Sequence, residues 1–158
     1  TQGWDLALVS DAGTPGISDP LYYLTRAALD EDIPVVSLPG PSAVLVALTI
    51  SGLPINRFVF EGFLPRKKGR KKLIEGLAEE ERAIVIFESP HRIVKTLKEL
   101  YQAMGSRQAV LARELTKLHE EVIRGSLKEI IVIAEDRKLK GEITLVIAGH
   151  SKKFQKGI

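Results

Sequence analysis

The chain has 158 residues, a formal net charge of +3, 44% hydrophobic and 27% charged residues, and no Cys. This is the composition of an ordinary globular domain, and it excludes a disordered chain, a collagen-like repeat and a disulfide-rich scaffold. Its apolar runs are strand-length and fall far short of the roughly 20 residues that span a bilayer. We therefore expect a cytoplasmic protein without a membrane partner.

Charge divides the chain into two parts. Residues 1–60 carry a net charge of −4, whereas residues 61–158 carry +7 and contain one dense basic run over residues 66–72. The change in composition follows the turn signal at residues 52–54. We therefore predict a domain boundary between residues 55 and 56, with one domain over 1–55 and a second over 56–158.

Strands and helices alternate along the chain. The spacing of apolar residues predicts helices over 91–104 and 126–135, the second opened by a capping box from Ser126 to Glu129 and the first closed by Gly105. The segment 118–125 is expected to add an antiparallel strand. The pattern predicts an α/β fold whose sheet is mixed in the second domain and covered on both faces. The predicted strands are residues 6–10, 33–38, 58–63, 83–88, 108–113 and 143–148.

Two loops rich in Gly and Pro follow the first two predicted strands. The first spans residues 10–20 (SDAGTPGISDP) and the second spans residues 38–44 (LPGPSAV). Loops that leave strand ends and enter helices are where open α/β sheets bind ligands, although each loop alone is equally compatible with a tight structural turn. Two such loops after successive strands are expected to converge on one crevice. Neither has the glycine pattern of a dinucleotide or nucleoside triphosphate site.

Charged side chains follow two later strands. Glu88, Ser89, His91 and Arg92 come after one, and the segment 113–121 (RELTKLHEE) comes after another. The spacing of Ser89 and His91 is not that of a catalytic dyad, and a Ser-Pro pair is also a common helix start. With three His and no Cys, the chain shows no metal-ligand spacing, so no metal is predicted.

The basic run has two interpretations. It is either a solvated loop leading into a helix or a patch that contacts the phosphates of a nucleic acid. The run alone does not decide between them. Its six cations are Arg66, Lys67, Lys68, Arg70, Lys71 and Lys72.

Six segments in this order and spacing closely resemble the ribosomal RNA small-subunit methyltransferase I family of the tetrapyrrole methylase superfamily. The segments are LVSDAGTPGISDP, LPGPSAVLVAL, FVFEGFLPRKKGRKK, FESPHR, ARELTKLHEEVIRG and GEITLVIAG. The resemblance covers residues 3–149. It implies two α/β lobes with S-adenosylmethionine bound in the cleft between them, usually in a homodimer. The implied reaction is methylation of a cytidine ribose 2′-hydroxyl in the ribosomal RNA of the 30S particle.

The resemblance also implies roles for individual residues. Because a ribose hydroxyl is a poor nucleophile and charged residues are dense at 113–121, we hypothesise in addition that Glu88 or Glu114 accepts the hydroxyl proton, while Arg113 or Lys117 stabilises the developing alkoxide or binds a flanking phosphate. The basic run is expected to bind RNA. The expected donor-binding residues are Asp11, Gly13, Thr14 and Ile17 in the first loop, Pro39, Ser42 and Ala43 in the second, and Phe87, Ala112, Glu142, Ile143 and Thr144 at later strand ends.

The chain departs from the family pattern at its beginning. Family members carry a further segment with a TPIGNL-like motif, which this sequence lacks, so the first lobe is expected to be incomplete. Two other functions stay open. One is methylation of a tetrapyrrole precursor on the same scaffold, and the other is an inactive fragment that retains only RNA binding.

Overall fold

The computed structural model describes residues 3–18 and 20–151 as two compact units, one ending at Ala43 and one beginning at Val44. The division falls before the predicted boundary at residues 55 and 56, because the helix over Ala43–Ser51 packs into the second unit. Its side chains Val44, Ala47 and Leu48 are buried against the sheet of that unit.

The first unit contains one helix among its described residues, α1 (Tyr22–Asp30). The strands predicted over 6–10 and 33–38 are wrong for the described part of the chain, where neither segment pairs with another strand. A strand needs a hydrogen-bonded partner, and apolar composition alone does not supply one. Leu6, Val9 and Val36 each leave more than 80% of their surface exposed.

The second unit is built on a five-stranded sheet. The elements, in chain order, are α2 (Ala43–Ser51), β1 (Phe58–Phe63), α3 (Arg70–Leu77), β2 (Ala83–Glu88), α4 (Ile93–Met104), β3 (Gln108–Arg113), β4 (Glu121–Ser126), α5 (Leu127–Asp136) and β5 (Ile143–Ile147). The strand order is β1-β2-β5-β3-β4, with β1 and β2 parallel and the remaining pairs antiparallel. The predicted α/β class, mixed sheet and added antiparallel strand are confirmed.

Local signals place these elements correctly. Ser126 and Glu129 form the predicted capping box at the start of α5, and Gly105 ends α4 with φ at +68°. Buried residues of α3, α4 and α5 pack on one face of the sheet, for example Ile74, Leu97 and Ile130. The other face is covered by α2 and carries Val85, Val110 and Val146. The sheet is therefore covered on both faces, and its central strands are buried as predicted.

No helix among the described residues has the length and apolar character to cross a bilayer.

Candidate active site

The two Gly- and Pro-rich loops contact each other in the first unit. The Thr14 amide donates a hydrogen bond to the Pro41 carbonyl over 2.9 Å, and the Thr14 hydroxyl donates to the same oxygen over 3.0 Å. A Cβ on Gly40 would lie 2.9 Å from the Thr14 hydroxyl oxygen, and Gly13 has φ at +79°. The predicted convergence of the loops is therefore present, and glycine is required where they meet.

The remaining donor-loop residues surround this contact along the chain. Asp11, Ile17 and Pro39 are exposed and Ser42 is half-buried. Ala43 begins α2, so the amides of a helix N-terminus follow Ser42 directly. Such amides suit an anionic group, and an exposed apolar side chain such as Ile17 suits a planar ring.

In the second unit, three of the residues expected to bind the donor form one row across the sheet. Thr144 on β5 pairs with Phe87 on β2 and with Ala112 on β3. The next row holds Glu88, Ile143 and Arg113, in which Ile143 pairs with the other two. Residues separated by more than fifty positions in sequence thus meet at one end of the sheet. Their role in donor binding stays a prediction.

An ion cluster extends this end of the sheet. Glu114 accepts hydrogen bonds from the Glu142 amide over 2.9 Å and from the Lys117 ammonium over 3.2 Å. Lys117 also lies 3.1 Å from a carboxylate oxygen of Glu142. Glu114 and Thr116 adopt positive φ, which is unusual for residues other than glycine and marks a constrained turn. The cluster therefore holds the segment after β3 in one conformation.

The charges in this cluster stabilise one another. The Glu142 amide and Lys117 lower the pKa of the Glu114 carboxyl, and the carboxylates of Glu142 and Glu114 raise the pKa of Lys117. A carboxylate with a lowered pKa is a weaker proton acceptor. These contacts orient Lys117 as a fixed cation beside Glu114, and the roles of the two residues in the reaction stay predictions.

A second pair of cations lies beside this cluster. Arg113 contacts one oxygen of the Glu121 carboxylate at 2.7 Å, and Arg137 contacts the other at 2.6 Å. The hydrogen bond from Arg113 and, to a smaller extent, the hydrogen bond from Arg137 lower the pKa of the Glu121 carboxyl. An open cleft of about 650 Å³ is lined here by Arg113, Glu114, His119, Lys138 and Lys140 among other residues. His119 is exposed and also lines this cleft.

The structure corrects the expected catalytic role of Glu88. Its side chain is fully buried, and its carboxylate accepts hydrogen bonds from the Ser89 amide over 2.8 Å and the Thr96 hydroxyl over 2.6 Å. The Arg92 guanidinium lies 3.1 Å from both of its oxygens. A carboxylate enclosed by these donors cannot reach a substrate hydroxyl. Glu88 therefore holds the start of α4 in place.

Arg70 is also buried, which corrects its expected role in RNA binding. Its guanidinium donates hydrogen bonds to the Thr96 hydroxyl, to Glu99 and to the Pro65 carbonyl over 2.7, 2.7 and 3.0 Å. Arg66, Lys67, Lys68, Lys71 and Lys72 are exposed. The basic run is therefore a surface of five cations anchored by one internal arginine.

Sequence reasoning missed Thr96 and Glu99 as partners in this network. The signal was available in part, because Arg92, Thr96 and Glu99 recur at intervals of four and three residues from the N-cap of α4 into the helix. This is the spacing that aligns polar side chains along one face of a helix.

Within residues 3–18 and 20–151, no group of three or more His, Cys, Asp or Glu side chains has an arrangement that could hold a metal ion.

Comparison with known proteins gives one matching family, the Tetrapyrrole (Corrin/Porphyrin) Methylases, over residues 1–131. A Thermotoga maritima protein named ribosomal RNA small subunit methyltransferase I is 48% identical over 148 residues, which are 94% of this chain and 67% of the relative. The protein of the same name from Mycobacterium tuberculosis is 52% identical over 149 residues, 93% of this chain and 52% of the relative. The chain thus spans about half to two thirds of the length of these relatives.

Solved structures with the same fold are more distant in sequence. A cobalt precorrin-4 methyltransferase of cobalamin biosynthesis has a TM-score of 0.65 at 16% identity, covering 86% of this chain and 61% of that one. A uroporphyrin-III C-methyl transferase from Thermus thermophilus, solved in complex with S-adenyl homocysteine, has a TM-score of 0.59 at 20% identity over 86% of this chain and 62% of that one. At these identities the likeness shows the fold alone.

Proposed function

We propose a function on the premise that the chain belongs to the ribosomal RNA small subunit methyltransferase I family, within the tetrapyrrole methylases. The function is S-adenosylmethionine-dependent methylation of the 2′-hydroxyl of a cytidine ribose in small-subunit ribosomal RNA. The proposal includes a homodimer that acts on the 30S particle in the cytoplasm. The main observation that supports RNA as the substrate is the 48% identity to the Thermotoga maritima protein over 94% of the chain.

The charge of the second unit favours RNA over a tetrapyrrole precursor. Five exposed cations lie within seven residues, between β1 and the first turns of α3. A run of cations along one segment suits the repeated negative charges of a nucleic acid backbone. A tetrapyrrole also carries carboxylates, but the corrin and porphyrin enzymes are only 16–20% identical to this chain.

The proposed chemistry is an in-line displacement. The ribose oxygen forms a bond to the methyl carbon as the bond from carbon to sulfur breaks, the electron pair goes to sulfur, and the hydroxyl proton leaves to a base. Alignment is the main requirement, because sulfonium is already a good leaving group. Lys117, oriented by Glu114, and Arg113, oriented by Glu121, supply fixed positive charge for the developing alkoxide or an adjoining phosphate.

Methyl transfer is tested directly with S-adenosylmethionine labelled in its methyl group, offered with 30S particles or with a tetrapyrrole precursor. We expect label in RNA as 2′-O-methylcytidine, identified by mass spectrometry after digestion to nucleosides. Label in the tetrapyrrole instead would favour the alternative substrate. Absence of label in both, from a chain that still binds RNA, would favour the fragment that only binds RNA.

The contact between the two loops predicts a specific loss of donor affinity. Thr14→Val removes the hydroxyl that donates to Pro41 while the backbone hydrogen bond remains. Since a hydrogen bond contributes about 1 kcal/mol, we expect S-adenosylmethionine to bind about fivefold more weakly in calorimetry. Thr49→Val is the matched control, because the Thr49 hydroxyl bonds only to its own helix at Val46 among the described contacts. Equal affinity for S-adenosylmethionine in the two variants would show that the contact between the loops does not contribute to donor binding.

The exposed cations predict how RNA affinity depends on salt. Replacing Arg66, Lys67 and Lys68 by Gln removes three charges, and each lost phosphate contact on single-stranded RNA flattens the slope of log affinity against log salt by about 0.7. We therefore expect a change of about 2 for the triple variant. A control with the same charge loss replaces Lys95, Lys98 and Lys128, which lie on α4 and α5. An equal change in both variants would indicate a diffuse charge effect and no specific patch.

A further inference from the structure

Strand β1 contains a bulge that gathers three aromatic rings on one face of the sheet. Phe60 pairs with Val85 and Phe63 pairs with Phe87, and the register shifts between Phe60 and Gly62. In a regular strand, residues three apart point to opposite faces. The extra residue at the bulge turns Phe60 and Phe63 to the same face, where both contact Phe87 at centroid distances of 4.9 and 5.7 Å.

Phe63 is the exposed member of this aromatic cluster. Phe60 and Phe87 are half-buried, whereas Phe63 keeps 56% of its surface in solvent. Phe87 supports the ring from one side, and Leu64, which follows directly, is almost fully buried. The sheet thus supports a large apolar ring at a strand end without covering it.

The segment that follows Phe63 is pinned by two guanidinium groups. Arg92 donates a hydrogen bond to the Leu64 carbonyl over 2.7 Å, and Arg70 donates to the Pro65 carbonyl over 3.0 Å. Arg92 is tied to the buried Glu88, and Arg70 is tied to Thr96 and Glu99. The chain therefore leaves the sheet in a fixed direction immediately before its cations.

Three exposed cations come next. Arg66, Lys67 and Lys68 form no ion pair with any side chain in residues 3–18 and 20–151. Arg66 is three residues from Phe63, so their Cα atoms lie within about 11 Å of each other. A supported ring beside unpaired cations is the arrangement by which proteins bind single-stranded nucleic acid, with bases stacked on the ring and phosphates held by the cations.

We propose that Phe63 is a stacking platform for an unpaired base of the ribosomal RNA, with Arg66, Lys67 and Lys68 holding the adjoining phosphates. The inference rests on the proposed function for the identity of the RNA. The cations of this surface do not favour the methyl donor, because it carries one carboxylate together with an ammonium and a sulfonium and has no excess negative charge. Charge complementarity therefore selects RNA.

The test uses the 158-residue chain and short single-stranded oligocytidine with one 2-aminopurine, whose fluorescence is quenched on stacking. We expect Phe63→Ala to weaken binding by about 5- to 100-fold and to reduce the quenching, with an unchanged slope against salt. Phe63→Trp should retain affinity and quenching, since it keeps an aromatic face. Phe58→Ala is the matched control, because it removes a half-exposed ring from the other end of the same strand.

Equal affinity and quenching for Phe63→Ala and the wild type would overturn the proposal, as would loss of S-adenosylmethionine affinity in place of RNA affinity. The outcome is separable from that of the proposed function. A chain that methylates RNA but binds the oligonucleotide equally well without Phe63 contradicts only the stacking platform. A chain that stacks the base on Phe63 but transfers no methyl group supports the platform and contradicts only the reaction.

Discussion

Replacing Glu88 by Ala is expected to lower the free energy of unfolding by about 3–5 kcal/mol, the usual cost of removing one partner from a buried ion pair. The carboxylate is fully buried and accepts hydrogen bonds from Ser89, Arg92 and Thr96. Without it, the Thr96 hydroxyl loses its acceptor, and the Arg92 guanidinium, three quarters of which is buried, keeps the Leu64 carbonyl but loses its ion-pair partner. Chemical denaturation followed by circular dichroism measures the change.

A matched control removes a surface carboxylate of the same type. Glu75 is 60% exposed and lies 3.7 Å from the Lys71 ammonium, so Glu75→Ala should change stability by less than about 1 kcal/mol. Similar losses in the two variants would contradict the structural role of Glu88. A Glu88→Gln variant of wild-type stability that transfers methyl groups at least about 100-fold more slowly would instead restore Glu88 as the catalytic base.

The sequence predicted most of the second unit because its signals are local. A capping box, a C-terminal glycine and strands of Val and Ile act within a few residues, and β5 and α5 follow them closely. The segments 6–10 and 33–38 show the limit of such signals, since pairing depends on a neighbour that composition does not reveal. The two compact units divide before the predicted domain boundary for a related reason. Helix α2 precedes the change in charge, but its apolar side chains are buried in the second unit.

The incorrect predictions at the candidate site concern which charged side chains are buried, and the pattern of charges in the sequence does not show this. Arg70 belongs to a run of cations, but it is the one that faces inward, because Thr96 and Glu99 on α4 provide its acceptors. The sequence analysis gave Phe63 no role, because its position beside Phe87 depends on the bulge in β1. A glycine inside a strand, here Gly62 with φ at +59°, often marks such a bulge. The contact between the two Gly- and Pro-rich loops was predicted although the strands expected before them are absent from the residues that the structure describes, and both loops contain glycines that allow close approach.

Replacing Gly141 by Ala is expected to disrupt the ion cluster after β3. Gly141 has φ at +86°, and an added Cβ would lie 2.3 Å from the carboxyl carbon of Glu114. The substitution therefore adds backbone strain and displaces the carboxylate that accepts from the Glu142 amide and from Lys117. We expect the free energy of unfolding to fall by about 1–3 kcal/mol and methyl transfer to slow by about 10- to 100-fold.

The same substitution predicts a change in titration that a general loss of stability does not produce. Because its contacts lower the pKa of Glu114 in the folded protein, they contribute stability above the carboxyl's unfolded pKa of about 4.3. That contribution is lost as the pH falls through the lowered folded value. In Gly141→Ala we expect the pKa of Glu114, followed by NMR, to rise toward its ordinary value. The stability difference from the wild type should narrow in acid.

Gly76→Ala is the control for adding a methyl group at a glycine. Gly76 lies in α3 with open space around the added atom, so alanine there should stabilise the protein by about 0.5–1 kcal/mol through its lower backbone entropy in the unfolded chain. The two substitutions therefore have opposite expected signs. If Gly141→Ala kept the stability of the wild type and the pKa of Glu114, the close approach of these residues would have no role in holding Lys117. The fixed cation at this end of the sheet would then need another support.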